Sequence, residues 1–232
     1  MVDKGRLREK AAKAGVLLED AQLEQLDLYA QLLVAWNEKV NLTSILQPEE
    51  IEDKHFIDSL VFAARADVMG SLVDVGSGAG FPGLVAKVLK PQLAVTLMEP
   101  TGKKVRFLQE VAQALGLEIE VLKERAEEAA RKRWRENYSV STARAVAGLP
   151  ILCEYCLPLT KVGGRFVAMK AQAEEELLLA RAAVEKLGGR CVDVWEYVLP
   201  GGARRSLITI EKVAATPEKY PRNGGTIAKR PL

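Results

Sequence analysis

The sequence predicts an α/β fold: a seven-stranded, doubly wound sheet with an antiparallel edge strand and an α-helical N-terminal extension. Three observations carry this prediction. Short apolar runs alternate with longer amphipathic segments after residue 70, a glycine-rich turn follows the first such run, and two closing strands flank Gly201-Gly202. The 232 residues, 48% hydrophobic and 28% charged, are ordinary for a soluble chain with a sizeable core.

The first part of the chain is predicted to be helical. Beginning near Asp20, leucines recur at spacings of three and four up to Trp36, so one face of this helix should be apolar. Residues 41–44 interrupt the pattern, and Pro48 stands where another helix begins. The expected division is an α-helical extension over residues 1–68, a Rossmann-like domain over 69–213 and a basic C-terminal arm over 214–232.

Strands and helices then alternate. The predicted strands are Ser71–Val75, Leu93–Met98, Glu118–Leu122, Tyr138–Arg144, Arg165–Met169, Val192–Val198 and Arg205–Ile210. The predicted helices are Phe81–Lys90 with Pro82 at its first position, Lys103–Leu115, a basic segment through Trp134, Pro150–Leu159 and Glu174–Leu187. A turn is expected at Gly163-Gly164, and the stretch from Thr216 shows no periodicity, which predicts an ordered arm or a flexible tail.

The glycine-rich stretch of residues 74–83 satisfies two binding fingerprints at once. Gly78-x-Gly80-x-x-Gly83 matches the dinucleotide pattern, and Asp74-x-Gly76-x-Gly78-x-Gly80 matches the methyltransferase pattern. Glycines at Gly76 and Gly78 let the backbone turn sharply and approach a ligand closely. The stretch therefore predicts a turn that binds a nucleotide-like cofactor.

Charge favours one of the two cofactors. A dinucleotide places its pyrophosphate at the start of the helix, where the carboxylate of Asp74 would repel it. S-adenosylmethionine has no phosphate, and its ammonium and sulfonium groups would be attracted by Asp74 directly or through water. We therefore expect S-adenosylmethionine as the cofactor.

Residues at the strand ends are the remaining candidates, because the ligand of such a sheet lies beyond the carboxyl ends of its strands. Glu99 is placed to bind both ribose hydroxyls, unless it is a surface acid before a proline. Ala126 and Glu127 are placed to contact adenine, although acids are also common at helix starts. Arg144 stands where the acceptor must lie, and either grips an anionic substrate or forms a structural ion pair.

The cysteines do not indicate a metal or disulfide site. Cys153, Cys156 and Cys191 cannot all pair, and a structural zinc ion needs more ligands than one Cys-x-x-Cys and the single histidine, His55, supply. We interpret the Cys-x-x-Cys pair as small apolar residues and expect no metal. Residues 1–13 are charged throughout and no apolar run approaches the length of a membrane span, so we expect a cytoplasmic protein without membrane contact.

Two features bear on the acceptor. The fourth strand is followed neither by an Asn-Pro-Pro-Tyr motif, which positions an exocyclic amine, nor by a Pro-Cys nucleophile. A purine N7 exposes a lone pair and needs neither, so positioning alone can supply most of the rate. Residues 201–232 carry seven basic side chains against two acidic ones, which allows a polyanionic partner, although solvated charge explains the same asymmetry.

Several motifs together resemble one known family. They are Asn41-Leu42-Thr43, His55-Phe56-Ile57-Asp58-Ser59-Leu60, Asp74–Pro82, Lys103-Lys104-x-Arg106-Phe107-Leu108, Ala143-Arg144-Ala145, and Tyr220-Pro221-Arg222 with Pro231-Leu232. In this order, along nearly the whole chain, they resemble the ribosomal RNA small-subunit methyltransferase G family, also called glucose-inhibited division protein B. The resemblance implies a class I methyltransferase that uses S-adenosylmethionine to methylate guanine N7 in the 530 loop of bacterial 16S rRNA, free or in the 30S subunit.

The same resemblance implies roles for individual residues. Cofactor contacts are implied at Gly76, Phe81, Glu99, Ala126, Glu127 and Arg144. We also expect Arg144 near the reaction centre, basic residues of the arm and of Lys103–Arg106 on RNA phosphate, and a monomer. His55, Asp58 and Ser59 match a family motif, although helix packing explains them equally well. The family often has another basic residue or an aspartate where this chain has Glu99-Pro100-Thr101.

Two other functions stay open from the sequence. The first is a methyltransferase of the same fold that acts on a small molecule, against which the basic arm argues. The second is a non-catalytic, dinucleotide-binding regulatory protein.

Overall fold

The computed structural model describes residues 1–66, 68–171 and 173–232. Its strands are β1 (Ser71–Val75), β2 (Ala94–Met98), β3 (Glu120–Leu122), β4 (Tyr138–Arg144), β5 (Thr160–Lys170), β6 (Gly189–Val198) and β7 (Arg204–Lys212). They form one sheet in the order β3-β2-β1-β4-β5-β7-β6, in which β1 to β5 are parallel. The antiparallel strand is β7, which lies between β5 and β6, so the closing hairpin as a whole forms the edge.

The helices cover both faces of this sheet. They are α1 (Lys4–Lys13), α2 (Asp20–Asn37), α3 (Pro48–Ile51), α4 (Asp58–Arg65), α5 (Gly83–Leu89), α6 (Gly102–Ala114), α7 (Ala126–Ala129), α8 (Leu149–Cys156), α9 (Glu174–Lys186) and α10 (Gly224–Lys229). A π-helical segment, Glu52–Ile57, joins α3 to α4. The N-terminal helices share one apolar core with α5 and α6, and the other core lies under α7, α8 and α9. The cysteines of α8 are buried free thiols in the second core.

Parallel pairing brings the strand ends together. Val75 at the end of β1 lies opposite Met98 at the end of β2, and Asp74 lies opposite Thr142 of β4. Because parallel strands finish at the same edge, the segments that follow β1, β2, β3 and β4 meet there. This edge is the one on which the sequence places its candidate residues.

Charged contacts attach the first helix to the π-helical segment. Arg6 of α1 donates two hydrogen bonds, each 2.7 Å long, to the completely buried carboxylate of Glu52. Lys10 lies 2.6 Å from Asp53. These contacts with α1 therefore fix the π-helical segment, which carries His55 and leads directly into Asp58.

The structure corrects three local predictions. Pro82 does not open the helix, since α5 begins at Gly83 and Pro82 is the residue that precedes it. Gly163-Gly164 does not form a turn between elements but lies inside β5, where the pairing register with β4 shifts. The basic segment through Trp134 is helical only over α7 and continues as turns.

The C-terminal stretch is an ordered arm that ends in a short helix, which is the first of its two predicted alternatives. Asn223 caps α10 by accepting a hydrogen bond of 2.9 Å from the backbone N–H of Thr226, and Ile227 is completely buried. Within the described residues, no helix is long and apolar enough to cross a membrane.

Candidate functional site

The glycine turn after β1 has the backbone that its sequence predicts. Gly76, Gly78 and Gly80 have φ angles of 68°, 57° and 92°, in the left-handed region that favours glycine. At Gly80 a side chain is also excluded by packing, because a Cβ would lie 2.6 Å from the hydroxyl oxygen of Tyr29. The turn thus exposes backbone at the carboxyl end of the central strand.

Asp74 lies beneath this turn and is not part of the cleft wall. Its side chain is completely buried, and its Oδ2 accepts a hydrogen bond of 2.9 Å from the N–H of Gly83 at the start of α5. Oδ1 has no hydrogen-bond partner among the described residues. Burial raises the pKa of Asp74 to about 7, and the nearby charge of Glu99 adds to the effect. A direct contact between Asp74 and a ligand is therefore less compatible with this geometry than the water-mediated alternative.

Glu99 fixes the turn from the neighbouring strand end. Its Oε2 accepts a hydrogen bond of 3.0 Å from the N–H of Gly78, and its Oε1 accepts one of 2.8 Å from the N–H of Thr101. The side chain is 4% exposed. A carboxylate has about four acceptor sites, so this one keeps capacity for further donors such as hydroxyls.

Arg144 ends β4 with its guanidinium group held by three acceptors. Nη1 donates to the carbonyl of Lys54 at 2.8 Å and to Oδ2 of Asp58 at 3.0 Å, and Nη2 lies 3.0 Å from Nδ1 of His55. The guanidinium carbon also lies 5.2 Å from the ring centre of Phe81. These contacts immobilise a cation at the strand end where the sequence predicts the acceptor.

The contact with Arg144 defines the protonation state of His55. Because arginine only donates, Nδ1 of His55 must accept, which leaves the proton on Nε2, 3.0 Å from the hydroxyl of Thr43. Burial and the charge of Arg144 lower the pKa of His55 to about 3, so the ring is neutral at physiological pH. The ring of Phe81 is stacked between His55 and Tyr29, with centroids 4.3 Å and 4.9 Å away.

Asp58 connects Arg144 to the closing hairpin. Its Oδ1 accepts a hydrogen bond of 2.6 Å from the hydroxyl of Tyr197 on β6, and Arg205 lies 3.8 Å away. Asp58 is 1% exposed. Ser59 differs from these residues, because its hydroxyl donates to the backbone carbonyl of His55 one turn earlier and belongs to the helix itself.

A cleft of about 570 Å³ lies beside the glycine turn and is lined by His55, Asp58, Phe81 and Arg144 among others. One wall is the loop Leu42–Ile45, which Asn37 anchors by accepting hydrogen bonds from two backbone N–H groups. The other walls contain the glycine turn, Lys54, Lys104 and the end of β4, including Ala145 at a positive φ of 56°. A cleft of this size, with exposed backbone, several cationic side chains and neutral polar groups, fits a nucleotide-sized ligand.

Comparison with known proteins identifies the family. A family model described as rRNA small subunit methyltransferase G matches residues 22–207. Proteins named ribosomal RNA small subunit methyltransferase G from Symbiobacterium thermophilum and Alkaliphilus metalliredigens are 48% and 44% identical to this chain, over 99% and 100% of it and 98% and 100% of their own lengths. The chain belongs to this family.

Solved structures agree in fold. A SAM-dependent methyltransferase from Aquifex aeolicus matches with a TM-score of 0.54 and 18% identity, over 72% of this chain and 94% of its own. The protein is therefore an S-adenosylmethionine-dependent methyltransferase with a class I fold, which confirms the fold, the family and the cofactor predicted from the sequence.

The residues of the methyltransferase fit this cofactor. The glycine turn offers exposed backbone, Asp74 places an unpartnered buried carboxylate oxygen beneath it, and Glu99 retains acceptor capacity beside it. All three stand at the edge where ligands of doubly wound sheets bind. The contacts themselves remain predictions.

Ala126 and Glu127 of the methyltransferase lie further along the same edge, after β3. Both are buried, at 6% and 5% exposure, and neither lines the cleft. The carboxylate of Glu127 packs directly against Gly224 of the C-terminal arm. Their predicted contact with adenine therefore belongs to a part of the site that the arm borders.

One cation of the C-terminal arm of the methyltransferase forms an ion pair within the protein. Arg222 forms a two-pronged ion pair with the completely buried Glu154, with Nη2 2.7 Å from Oε2. Arg222 is thus occupied and does not suit the predicted contact with RNA phosphate. Lys219, Lys229 and Arg230 remain exposed.

Reasoning from the sequence missed Tyr197 and Tyr29. Tyr197 is 139 positions from Asp58, and Tyr29 is 50 positions from the turn residue Ala79 to which it donates. Both appear in the sequence only as apolar positions of their own elements. No local pattern connects them to the site.

Proposed function

We propose that the protein transfers a methyl group from S-adenosylmethionine to N7 of a guanine in the 530 loop of bacterial 16S rRNA. The observation that carries this proposal is the fixed guanidinium of Arg144 in the wall of the cleft beside the glycine turn. The names of the relatives, which refer to small-subunit ribosomal RNA, support the substrate class.

Arg144 has donors to spare for a guanine. A guanidinium group has five N–H donors, and three of them are directed at Lys54, Asp58 and His55. Nε–H and the second hydrogen of Nη2 remain for an acceptor in the cleft. A guanine offers O6 next to N7, so a donor on O6 orients the base and leaves the N7 lone pair free to react.

The reaction needs positioning more than acid–base chemistry. When bound, S-adenosylmethionine supplies an electrophilic methyl group on a sulfonium centre. N7 of guanine carries no proton, so no residue has to remove one, and the neutral His55 has no role as a base. What the chain supplies is orientation: the turn and Glu99 for the cofactor, Arg144 for the base.

We assign the contacts with RNA phosphate to basic side chains that have no ion-pair partner among the described residues. Lys103, Lys104 and Arg106 lie in the first turns of α6, and Lys104 lines the cleft. None of them forms an ion pair within the described chain, although the start of a helix disfavours positive charge. Phosphate groups of an RNA strand that enters the cleft would compensate this cost.

The wider organisation is part of the proposal. We assign the extension (residues 1–68) and the arm (214–232) as additions to a Rossmann-like domain (69–213), and we propose a monomer that acts in the cytoplasm on 16S rRNA or the 30S subunit. No membrane and no metal ion is needed in this reaction.

Transfer of tritiated methyl groups to 30S subunits or 16S rRNA that lack the modification tests the function. Incorporation should map to a guanine of the 530 loop, and strand cleavage at 7-methylguanine should locate it at N7. Arg181→Lys, an exposed change on α9, is the control that should retain full activity. Methylation that is lost in Asp74→Ala but intact in Arg144→Ala would remove Arg144 from the reaction centre.

Calorimetry separates the alternatives. We expect binding of S-adenosylhomocysteine and none of NADH. A protein that binds NADH but not S-adenosylhomocysteine would contradict the proposal, and methylation of small molecules without methylation of RNA would assign a different substrate.

A further inference from the structure

The C-terminal arm touches a predicted cofactor residue at one glycine. A Cβ placed on Gly224 would lie 2.2 Å from Oε1 and 3.2 Å from Cδ of Glu127. No side chain fits at that distance, so the carboxylate of Glu127 occupies the space above the Gly224 Cα. Glu127 itself is 5% exposed and follows β3, at the edge of the sheet where the cofactor is proposed to bind.

Independent contacts hold Gly224 in this position. Arg222, two residues earlier, forms its ion pair with Glu154 of α8 and also donates its backbone N–H to the same carboxylate at 2.8 Å. Arg131, which follows α7, donates to the carbonyl of Pro221 at 2.9 Å. The arm is therefore fixed to α8 and to the segment that follows α7, the short helix that carries Glu127.

A second arginine extends this anchorage towards the start of the arm. Arg135 donates to the carbonyls of Thr216 and Tyr220, at 2.5 and 2.8 Å. Backbone carbonyls spread over residues 216–221 thus bind two arginines of the segment that follows β3. These contacts tie down a terminal segment that would otherwise fray, and they fix the position of Gly224 against Glu127.

We propose that the C-terminal arm is a positioning element of the cofactor site: Gly224 fixes the carboxylate of Glu127 so that it accepts a hydrogen bond from the exocyclic amine of adenine. The inference rests on the proposed function, because it requires the adenine of S-adenosylmethionine to reach Glu127. It gives the closing Tyr220-Pro221-Arg222 segment a task other than RNA contact. The arm then contributes to selectivity for the adenine base of the cofactor.

Two neighbouring glycines make a matched test. Gly224→Ala adds a methyl group that must displace the Glu127 carboxylate, which is the end of a flexible side chain and can move without unfolding the protein. Gly225→Ala adds the same group one position later, where the nearest atom is Oδ1 of Asn223 at 3.5 Å. Both changes replace glycine by alanine in the same short helix, so their effects on helix propensity are similar.

Binding of S-adenosylhomocysteine, measured by calorimetry on the full-length chain, should separate them. We expect Gly224→Ala to raise Kd about tenfold or more, the loss expected for one hydrogen bond to a charged group, while Gly225→Ala stays within about twofold of the unmodified protein. Thermal unfolding of both variants should remain within a few degrees of it.

A cofactor analogue distinguishes recognition of the base from a purely structural role of Gly224, because a structural role would not change the preference for one base over another. S-inosylhomocysteine carries a carbonyl where adenosine has its amine, so a fixed carboxylate should reject it strongly. The preference for the adenosyl over the inosyl compound should be large in the unmodified protein and in Gly225→Ala, and should shrink about tenfold in Gly224→Ala. In a Glu127→Ala background, Gly224→Ala should have no further effect.

The outcomes are distinct. Equal Kd values and equal base preference in the two glycine variants would overturn the inference while leaving the proposed function intact. An unmodified protein that binds no S-adenosylhomocysteine would instead overturn the proposed function. A preference that persists in Glu127→Ala would show that another group recognises the amine, which also contradicts the inference.

Discussion

Nη1 of Arg144 lies 3.0 Å from Oδ2 of Asp58, although 86 positions separate the two residues. Asp58 belongs to the helical extension and Arg144 ends a central strand, so this ion pair joins the two parts of the protein at the cleft. Both groups are largely buried, with exposed side-chain fractions of 2% and 15%. Removal of one charge from such a pair leaves the other without compensation.

The first prediction concerns this pair. Asp58→Asn keeps an acceptor oxygen but removes the charge that orients the guanidinium group, so we expect kcat for methyl transfer to RNA to fall about tenfold to hundredfold. The affinity for S-adenosylhomocysteine should change much less, because the glycine turn and Glu99, not Asp58, are proposed to hold the cofactor. Steady-state kinetics and calorimetry measure the two effects. Equal losses of kcat and of cofactor affinity would indicate general damage to the site.

The second prediction concerns the hydroxyl of Tyr197. Tyr197→Phe removes one donor to Asp58 Oδ1 and leaves Arg144 in place, so the free energy of unfolding should fall by about 2 kcal/mol, with less than a tenfold loss of methyl transfer. Tyr155→Phe is the control, because its hydroxyl forms no hydrogen bond within the described chain. Urea denaturation measures both. Identical stabilities of the two variants would show that the hydrogen bond contributes nothing.

These residues show which parts of the molecule a sequence reveals. Strands β1 and β4 are predicted to the residue: β1 is a short apolar run that the glycine turn ends at Val75, and β4 ends at Arg144. The predicted start of β5 is wrong because Gly163-Gly164 has the sequence of a turn, and only the pairing with β4 keeps it inside a strand.

The site divides in the same way. The glycine turn is local in sequence, and its backbone is what the residues require. The grip on Arg144 is assembled from Lys54, His55 and Asp58, whose separation from it is about 90 positions, and only tertiary packing brings them together. The prediction that the basic residues of the arm contact RNA is wrong for Arg222 for a related reason. The composition of the arm includes the charge of Arg222, but it does not reveal that the buried Glu154 neutralises this charge.

The third prediction follows from the raised pKa of Asp74. The folded pKa is about 7 and the ordinary value is 3.8, so between these values the folded state binds more protons than the unfolded state. The contribution of Asp74 to stability therefore decreases as pH rises from about 4 to 7. Asp74→Asn keeps an acceptor for the N–H of Gly83 and cannot ionise.

The pH dependence of the free energy of unfolding should differ between Asp74→Asn and the unmodified protein. Relative to the unmodified protein, Asp74→Asn should gain free energy of unfolding as pH rises from 4 to 7, by an amount on the order of a few kcal/mol. Urea denaturation at pH 4, 5.5 and 7 measures the difference. A constant difference across this range would show that Asp74 titrates normally in the folded protein.

The fourth prediction concerns the cations at the start of α6. Lys103→Gln with Lys104→Gln should weaken binding of 16S rRNA and lower the slope of log K against log salt concentration by about one for each phosphate that the variant no longer neutralises. Lys186→Gln, at the exposed end of α9, is the matched control and should leave the slope unchanged. Filter binding at several salt concentrations measures the slopes. An unchanged slope in the double variant would place the RNA elsewhere.

The last prediction tests how the arm is held. Arg222→Met removes the cation from Glu154, whose side chain has no exposed surface, so the free energy of unfolding should fall by about 3–5 kcal/mol. Replacing the partner as well, in Arg222→Met with Glu154→Leu, removes the buried charge and should recover most of this loss. Thermal and urea unfolding measure both variants. If the single variant were as stable as the unmodified protein, the ion pair would contribute nothing to stability, and the arm would be held by apolar packing and by the arginines that bind its carbonyls.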